Sequence, residues 1–165
     1  MAGHGRSRIS LPSQFSASFS FPRKFAVCLT SGRNANGAVL FGDGPYVLLP
    51  DVDASIGGVA SSDNFIGVKS VKVNEKIIPI NAKFLSINNT DGYGGTKIST
   101  VNPYTVLETS IYNAVVEAFV NELNATRVAS MAPFGACFSS KGIVSTRGGP
   151  VMPPIDLVLQ NENVY

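Results

Sequence analysis

Short runs in which apolar and polar residues alternate follow one another along most of the chain. Residues 65–73 alternate between apolar side chains and Gly, Lys or Ser, which is the pattern of a half-buried strand. Asn74-Glu75 predicts a turn, and residues 76–80 predict the returning strand. Compact apolar runs predict further strands at residues 24–29, 38–41 and 155–159.

Two segments have the signals of helices. A short helical turn is predicted over residues 10–14, with Ser10 as its N-cap and Pro12 in its first turn. A longer helix is predicted to begin at a cap formed by Thr109 or Ser110 and to end near Asn124. Its apolar residues recur every four positions and so share one face: Ile111, Val115, Phe119 and Leu123.

The order of these elements predicts an all-β fold, β-dominated with one or two helices. Asn36-Gly37 lies between two predicted strands and is a strong hairpin signal. Residues 50–63 contain Asp, Ser and Gly with little periodicity, so they predict a linker.

Composition and charge exclude some classes of function. Charged residues make up 15% of the 165 residues, against roughly 25% in an average soluble domain. The net charge of +2 and the absence of any Lys/Arg run longer than Arg23-Lys24 predict no nucleic-acid partner. No apolar run reaches the roughly 18 residues of a membrane helix, and the N-terminus has no apolar core of a signal peptide.

Residues with catalytic potential are few. His4 is the only histidine, so any Ser-His or Cys-His arrangement would have to use this residue of a glycine-rich N-terminus. Asp51 and Asp53 lie in the predicted linker, where a solvated turn is favoured over a metal site. The glycine-rich stretch Gly92–Gly95 lacks the Gly-Lys-Ser/Thr of a phosphate-binding loop. We therefore predict no catalytic residue, no metal and no cofactor.

Cys28 and Cys137 are the only cysteines, and each lies in an apolar, strand-like run without CxxC spacing. Two interpretations stay open: a pair of buried thiols, or halves of disulfides in a secreted protein. Asn88-Asn89-Thr90 and Asn124-Ala125-Thr126 satisfy the rule for N-glycosylation. Asn88 and Asn124 are therefore candidate glycan attachment sites if the chain enters the secretory pathway.

Residues 94–119, GGTKISTVNPYTVLETSIYNAVVEAF, resemble the second active-site segment of plant pepsin-like proteins. In that family Gly-Gly-Thr leads into Asp-Ser-Gly-Thr and a helix, whereas here Ser99 occupies the place of the acid. The chain is most similar to the inactive branch: extracellular dermal glycoproteins, basic 7S globulins, nectarins and inhibitors of xylanases and xyloglucanases. The segments that carry this resemblance are RSRISLPSQFS, KFAVCL, VLFGDGPY, FIGVKSVKVNEKII, APFGACFSS and IDLVLQNENV.

The resemblance implies a partial pepsin-like acid-protease fold. Residues 1–50 would form the end of the N-terminal lobe, residues 51–63 a shortened crossover, and residues 64–165 a truncated C-terminal lobe. The chain would then be an internal piece, in which Cys28 and Cys137 pair with cysteines beyond it. The family implies an extracellular, cell-wall location.

The resemblance also implies how such a protein would act. A serine cannot share a proton with a partner carboxylate, so Ser99 predicts that the peptidase reaction is lost. In family members that inhibit xyloglucanases, the loop corresponding to residues 142–150 presents an arginine, here Arg147, to the cleft of a microbial glycoside hydrolase. Two alternatives remain: an aspartic endopeptidase, and a storage or peptide-hormone-binding protein like the 7S globulins.

Overall fold

The computed structural model describes residues 3–29, 36–44, 55–56 and 59–160. Within these residues short strands dominate, in six small sheets that are joined by loops and accompanied by two α-helices and one 3₁₀ helix. The β-dominated fold that the pattern of the sequence predicts is confirmed.

The first helix, α1, extends over Leu11–Phe19 and is longer than the predicted turn at residues 10–14. It ends at Ser20, whose φ of 58° is left-handed and whose N–H donates to the Ser16 carbonyl at 3.0 Å. The extension places the Phe15 ring 4.9 Å from that of Phe41, between ring centroids. Tertiary packing of an aromatic side chain therefore continues a helix that the local sequence signals only at its start.

Strands β1 (Phe25–Cys28) and β2 (Ala38–Phe41) form the predicted antiparallel pair. Their register places Phe25 opposite Phe41 at one end and Cys28 opposite Ala38 at the other. Part of the predicted turn between them, residues 30–35, lies outside the described residues. The pair is a two-stranded sheet, so its faces depend on α1 and on the N-terminal segment for cover.

The predicted linker contains a small antiparallel pair, β3 (Ser55–Ile56) with β4 (Val59–Ala60). The predicted single strand at residues 65–73 is divided at Gly67 into β5 (Asn64–Ile66) and β6 (Val68–Val73). The Gly67 carbonyl accepts a hydrogen bond from the Gln160 N–H at 3.0 Å. A Cβ at Gly67 would lie 2.6 Å from the Gln160 side chain, so a larger residue at this position would require the Gln160 side chain to move.

The central sheet has the strand order β13-β6-β7. Strand β13 (Ile155–Leu159) pairs antiparallel with β6 and joins two distant parts of the chain. Strand β7 is only Lys76–Ile77, shorter than the predicted strand at residues 76–80, and a 3₁₀ helix follows at Ala82–Leu85. Strand β8 (Thr96–Ile98) pairs with β5 in a separate two-stranded sheet.

The second helix, α2, covers Thr109–Glu122, and its cap differs from the prediction. The Glu108 carboxylate accepts hydrogen bonds from the N–H of Ser110 at 2.8 Å and of Ile111 at 3.1 Å. The side chain of Ser110 donates to the same carboxylate and, as the largest of several causes, lowers the pKa of Glu108. A carboxylate suits this position because the first helical N–H groups are unpaired and the helix dipole favours negative charge.

The predicted apolar face of α2 is confirmed. Ile111, Val115 and Leu123 are buried, and Phe119 packs against the core while remaining partly exposed. The core cluster lies entirely in the second part of the chain, where α2 and the 3₁₀ helix cover the central sheet: Ile66, Val68, Val71, Val73, Ile78, Leu85, Ile111, Val115 and Leu159.

Two more antiparallel pairs complete the described fold. Strand β9 (Arg127–Val128) pairs with β10 (Cys137–Phe138), and β11 (Ser145–Thr146) pairs with β12 (Gly149–Pro150). Within the described residues, neither helix has the length and apolar character needed to cross a bilayer.

Candidate functional site

Ser99 lies directly after β8, at the start of an exposed segment that runs to α2. Its Oγ accepts a hydrogen bond from the N–H of Val101 at 3.2 Å. This contact closes a local turn, a common role of serine. No carboxylate is in hydrogen-bond contact with Ser99 among the described residues. The assignment of Ser99 to the place of a catalytic acid stays a prediction.

Among the described residues, the carboxylates that form hydrogen bonds or ion pairs contact cations, amides or hydroxyls, not a second acid. Asp63 pairs with Lys97 at 2.9 Å, Asp43 with Lys24 at 3.2 Å, and Glu122 with Lys76 at 2.6 Å. The pKa of Glu122 is lowered by hydrogen bonds from Asn74 and Lys76. The partners of Glu122 are thus an amide and a cation, whereas an aspartic-peptidase acid shares a proton with a second carboxylate.

Arg147 lies at the tip of the hairpin formed by β11 and β12. Thr146 and Gly149 are the last paired residues, which leaves Arg147 and Gly148 as the two residues between them. Both of these residues are exposed. The N–H of Val151 donates to the Val144 carbonyl at 2.8 Å and extends the pairing beyond the two strands. We name residues 144–151 the Arg147 hairpin.

Two residues hold this tip in shape. The Thr146 hydroxyl donates to the Gly149 carbonyl at 3.0 Å and accepts from the Gly148 N–H at 3.3 Å. Gly149 has a φ of +121°, which a residue with a side chain rarely adopts. The Thr146 side chain and the Gly149 backbone therefore fix the direction in which Arg147 leaves the hairpin.

The guanidinium of Arg147 has no hydrogen bond or ion pair within the part of the chain that the structure describes. Arg147 and Ser99 are not in contact among the described residues. The two predicted site residues therefore lie in separate parts of the structure. An exposed arginine without a carboxylate partner keeps its planar fork of N–H donors available for another molecule.

Asn88 and Asn124 are both exposed. The Asn88 side chain forms an Asx turn, in which its Oδ1 accepts from the Thr90 N–H at 2.9 Å and its Nδ2 donates to Asp91 Oδ2 at 3.0 Å. Asn124 follows the buried Leu123 directly after α2. Both side chains have room for a bulky substituent, and their glycosylation stays a prediction.

Both cysteines are free thiols, and they are not bonded to each other. Cys137 is half-buried in β10, whereas Cys28 is exposed at the end of β1. The interpretation as two buried thiols is therefore wrong for Cys28, which lies exposed at the end of a two-stranded sheet. Pairing with cysteines beyond this chain stays a prediction.

The other residues that were considered for catalysis or ligand binding are His4, the stretch Gly92–Gly95, Asp51 and Asp53. The His4 ring stacks on Phe41 at 5.9 Å and tilts against Phe25 at 5.2 Å, between centroids, so it contributes to an aromatic cluster. The stretch Gly92–Gly95 leads into a strand rather than a helix, and three of its glycines adopt positive φ. Asp51 and Asp53 lie outside the described residues. Within the described residues, no group of three or more His, Cys, Asp or Glu could hold a metal.

The sequence did not predict an open groove of about 400 Å³ beside α2. Its walls include Tyr104, Leu107, Phe134 and Ile155, all of which are exposed apolar or aromatic side chains. At its margin the Tyr112 hydroxyl is buried, and it has no hydrogen-bond partner among the residues that the structure describes. The only sign of this groove in the sequence was the apolar content of residues 104–107. The rest of the groove could not be predicted, because it is formed by loops from distant parts of the chain.

Two family models match this chain. The one described as xylanase inhibitor N-terminal matches residues 1–43, and the one described as xylanase inhibitor C-terminal matches residues 64–165. The "Probable aspartic proteinase GIP2" of Nicotiana benthamiana is 62% identical over 186 residues, which cover 100% of this chain and 42% of that protein.

Solved structures agree with these matches. The crystal structure of edgp superposes with a TM-score of 0.83 at 52% identity, covering 99% of this chain and 45% of that one. Basic 7S globulin from soybean gives a TM-score of 0.73 at 33% identity, covering 99% and 42%. The chain thus spans less than half the length of these relatives. Its strand-dominated fold is part of a pepsin-like fold, and the chain belongs to the xylanase inhibitor family.

Proposed function

We propose that this chain binds and inhibits microbial glycoside hydrolases, xyloglucanases or xylanases, in the plant cell wall, as part of a non-proteolytic protein. Arg147 would enter the hydrolase cleft and occupy the place of the substrate. The observation that carries the proposal is the exposed position of Arg147 at a hairpin tip with no partner among the described residues.

The chemistry of the two surfaces is complementary. Glycoside hydrolases typically place two carboxyl groups on either side of the scissile bond. A guanidinium is permanently charged and offers parallel N–H donors that match carboxylate oxygens. Because Thr146 and Gly149 already fix the backbone of the tip, little backbone entropy is lost on binding, which favours affinity.

Two alternatives come from the names of similar proteins. A proteolytic function is suggested by the name of the Nicotiana benthamiana relative, which describes it as a probable aspartic proteinase. The local contact of Ser99 with the Val101 amide, with no carboxylate beside it among the described residues, favours a protein that binds rather than cleaves. A storage or peptide-hormone-binding function is suggested by the likeness to basic 7S globulin, and no described side chain favours it specifically.

The proposal extends to the cell compartment and to modification. An inhibitor of microbial hydrolases has to meet them outside the plant cell, so we infer secretion. In the secretory pathway Asn88 and Asn124 would be acceptors of N-linked glycans. Their exposure supports both assignments.

The direct test is inhibition of a purified fungal xyloglucanase by the 165-residue chain and by its Arg147→Ala variant. We expect the wild-type chain to inhibit and the variant to inhibit at least ten-fold more weakly, as for loss of an interfacial charged anchor. Arg147→Lys keeps the charge without the planar fork and should fall between the two.

The outcomes separate the hypotheses. A wild-type chain that binds neither the xyloglucanase nor a microbial xylanase contradicts the proposed function. Inhibition that is unchanged in Arg147→Ala leaves an inhibitor but removes Arg147 from its contact surface. Arg23→Ala is a suitable control, since Arg23 is also exposed and, among the described residues, its guanidinium donates only to the Arg6 carbonyl.

A further inference from the structure

The Arg147 hairpin also carries an exposed apolar pair behind its charged tip. Val144 and Val151 are 69% and 54% exposed. The N–H of Val151 donates to the Val144 carbonyl at 2.8 Å, so the two residues lie directly opposite each other. Residues that face each other across an antiparallel pair project to the same side, and Val144 and Val151 therefore form one continuous apolar surface.

The nearest polar side chain on this side of the hairpin, that of Thr146, already forms hydrogen bonds within the hairpin. Side chains two residues apart on a strand share a face, which places Thr146 on the same side as Val144. The Thr146 hydroxyl donates to the Gly149 carbonyl and accepts from the Gly148 N–H. This side of the hairpin is therefore apolar up to the arginine.

The base of the hairpin is anchored on the other side. Ile143, which precedes Val144, is half-buried, and its N–H donates to the Ser140 carbonyl at 3.3 Å. Val144 and Val151 pair directly beyond the ends of the two strands, and both are exposed. The valine pair therefore lies on the surface behind the tip that carries Arg147.

We propose that Val144 and Val151 pack against an aromatic sugar-binding platform in the hydrolase cleft while Arg147 reaches the carboxylates. This inference rests on the proposed function and specifies its contact surface. A cleft that binds sugar chains offers both chemistries, since aromatic rings present broad apolar faces with a polar edge and the catalytic groups are acids. The combination of a free cation with adjacent aliphatic side chains matches this partner.

The spacing along the strand sets where the platform should lie. Strands advance by about 3.3 Å per residue, and Val144 precedes the last paired residue, Thr146, by two positions, so the valine pair lies roughly 7 Å behind the end of the pairing. The valine pair should therefore meet a ring outside the bond-cleaving subsite.

The test uses Val144→Thr, Val151→Thr and the double variant, which keep the β-branched shape but make the surface polar. We expect the double variant to inhibit a fungal xyloglucanase roughly ten-fold more weakly, from the loss of apolar burial. Ile77→Thr is the matched control: Ile77 is 66% exposed in β7, which belongs to another sheet, and its substitution should leave inhibition unchanged.

A second readout distinguishes contact from folding. Replacing the corresponding aromatic residue of the xyloglucanase by alanine should weaken wild-type binding but leave binding of the double valine variant almost unchanged, because that contact is already lost. If Arg147→Ala weakens inhibition and the double valine variant does not, the proposed function stands and this inference is wrong. If the wild-type chain binds no glycoside hydrolase, both are wrong.

Discussion

Lys76 donates a hydrogen bond from Nζ to Glu122 Oε1 at 2.6 Å, and this contact joins β7 to the last turn of α2. Asn74 donates to the other oxygen of the same carboxylate, also at 2.6 Å. The turn at residues 74–75 and the end of the helix are separated by more than forty residues in sequence. A single carboxylate therefore fixes the central sheet against the helix that covers it.

Replacing Glu122 should make the stability of the chain less dependent on pH. Hydrogen bonds from Asn74 and Lys76 lower the pKa of Glu122 below its ordinary value of 4.5. The stabilisation is therefore present above the unfolded-state pKa and is lost as the pH falls through the folded-state pKa. Glu122→Gln should lower Tm by a few degrees at neutral pH and have a vanishing effect at acidic pH.

Thermal unfolding followed by circular dichroism across that pH range provides the measurement. Glu117→Gln is the control, since Glu117 is an exposed residue of the same helix without a recorded ion pair among the described residues. An equal loss of stability for Glu122→Gln at all pH values would show that the contact does not titrate as described.

A side chain at Gly149 should loosen the Arg147 hairpin. Nothing lies within 4 Å of a Cβ at this position, so the effect of Gly149→Ala comes from the backbone φ of +121° alone. A left-handed conformation costs an ordinary residue about 1–2 kcal/mol. We expect faster hydrogen exchange of the Val151 amide, which the hairpin pairing protects, and weaker inhibition of a xyloglucanase.

The neighbouring glycine is a matched control for that experiment. Gly148 has no positive φ, and a Cβ there would meet only the Thr146 Oγ1 at 3.8 Å. Gly148→Ala should therefore leave the exchange rate of the Val151 amide unchanged. If both variants exchange at the wild-type rate, the conformation of Gly149 does not hold the hairpin.

Placing an acid at residue 99 should not create a peptidase. Ser99→Asp adds one carboxylate at an exposed position where the present contact is the Val101 amide, and the aspartic-peptidase reaction needs two carboxylates that share a proton. Wild type and variant should both fail to cleave casein or haemoglobin at acidic pH. Cleavage by either protein that pepstatin abolishes would support the proteolytic alternative.

Secretion of the chain from yeast behind a cleavable signal should yield glycans at Asn88 and Asn124. Glycosylation should leave the Asx turn of Asn88 intact. Its Oδ1 can still accept from the Thr90 N–H, and Nδ2 retains one hydrogen to donate to Asp91. Asn88→Gln and Asn124→Gln should each remove one glycan, measured as a mass shift that a glycosidase cancels. The same chain made in the cytosol is the control, and an unmodified secreted chain would contradict the assignment.

The strand and helix positions could be predicted well where periodicity and a buried face coincide. The four-residue spacing of apolar side chains identified the buried face of α2, and the alternation around Val71 identified the central strand. The cap of α2 was missed because Glu108 acts through its carboxylate, whereas sequence rules favour Ser or Thr. The break at Gly67 was missed because its cause, the approach of Gln160, comes from the other end of the chain.

The sequence by itself determined the β-dominated class, the covering helix and the family, because each is encoded in local spacing or in contiguous motifs. Only the tertiary structure decided that Arg147 lies at a two-residue tip, that Val144 and Val151 share a face behind it, and that loops distant in sequence enclose a groove. These properties depend on which backbone groups pair across the hairpin and between segments. Pairing between separated residues is set by the packing of the whole chain, not by its local pattern.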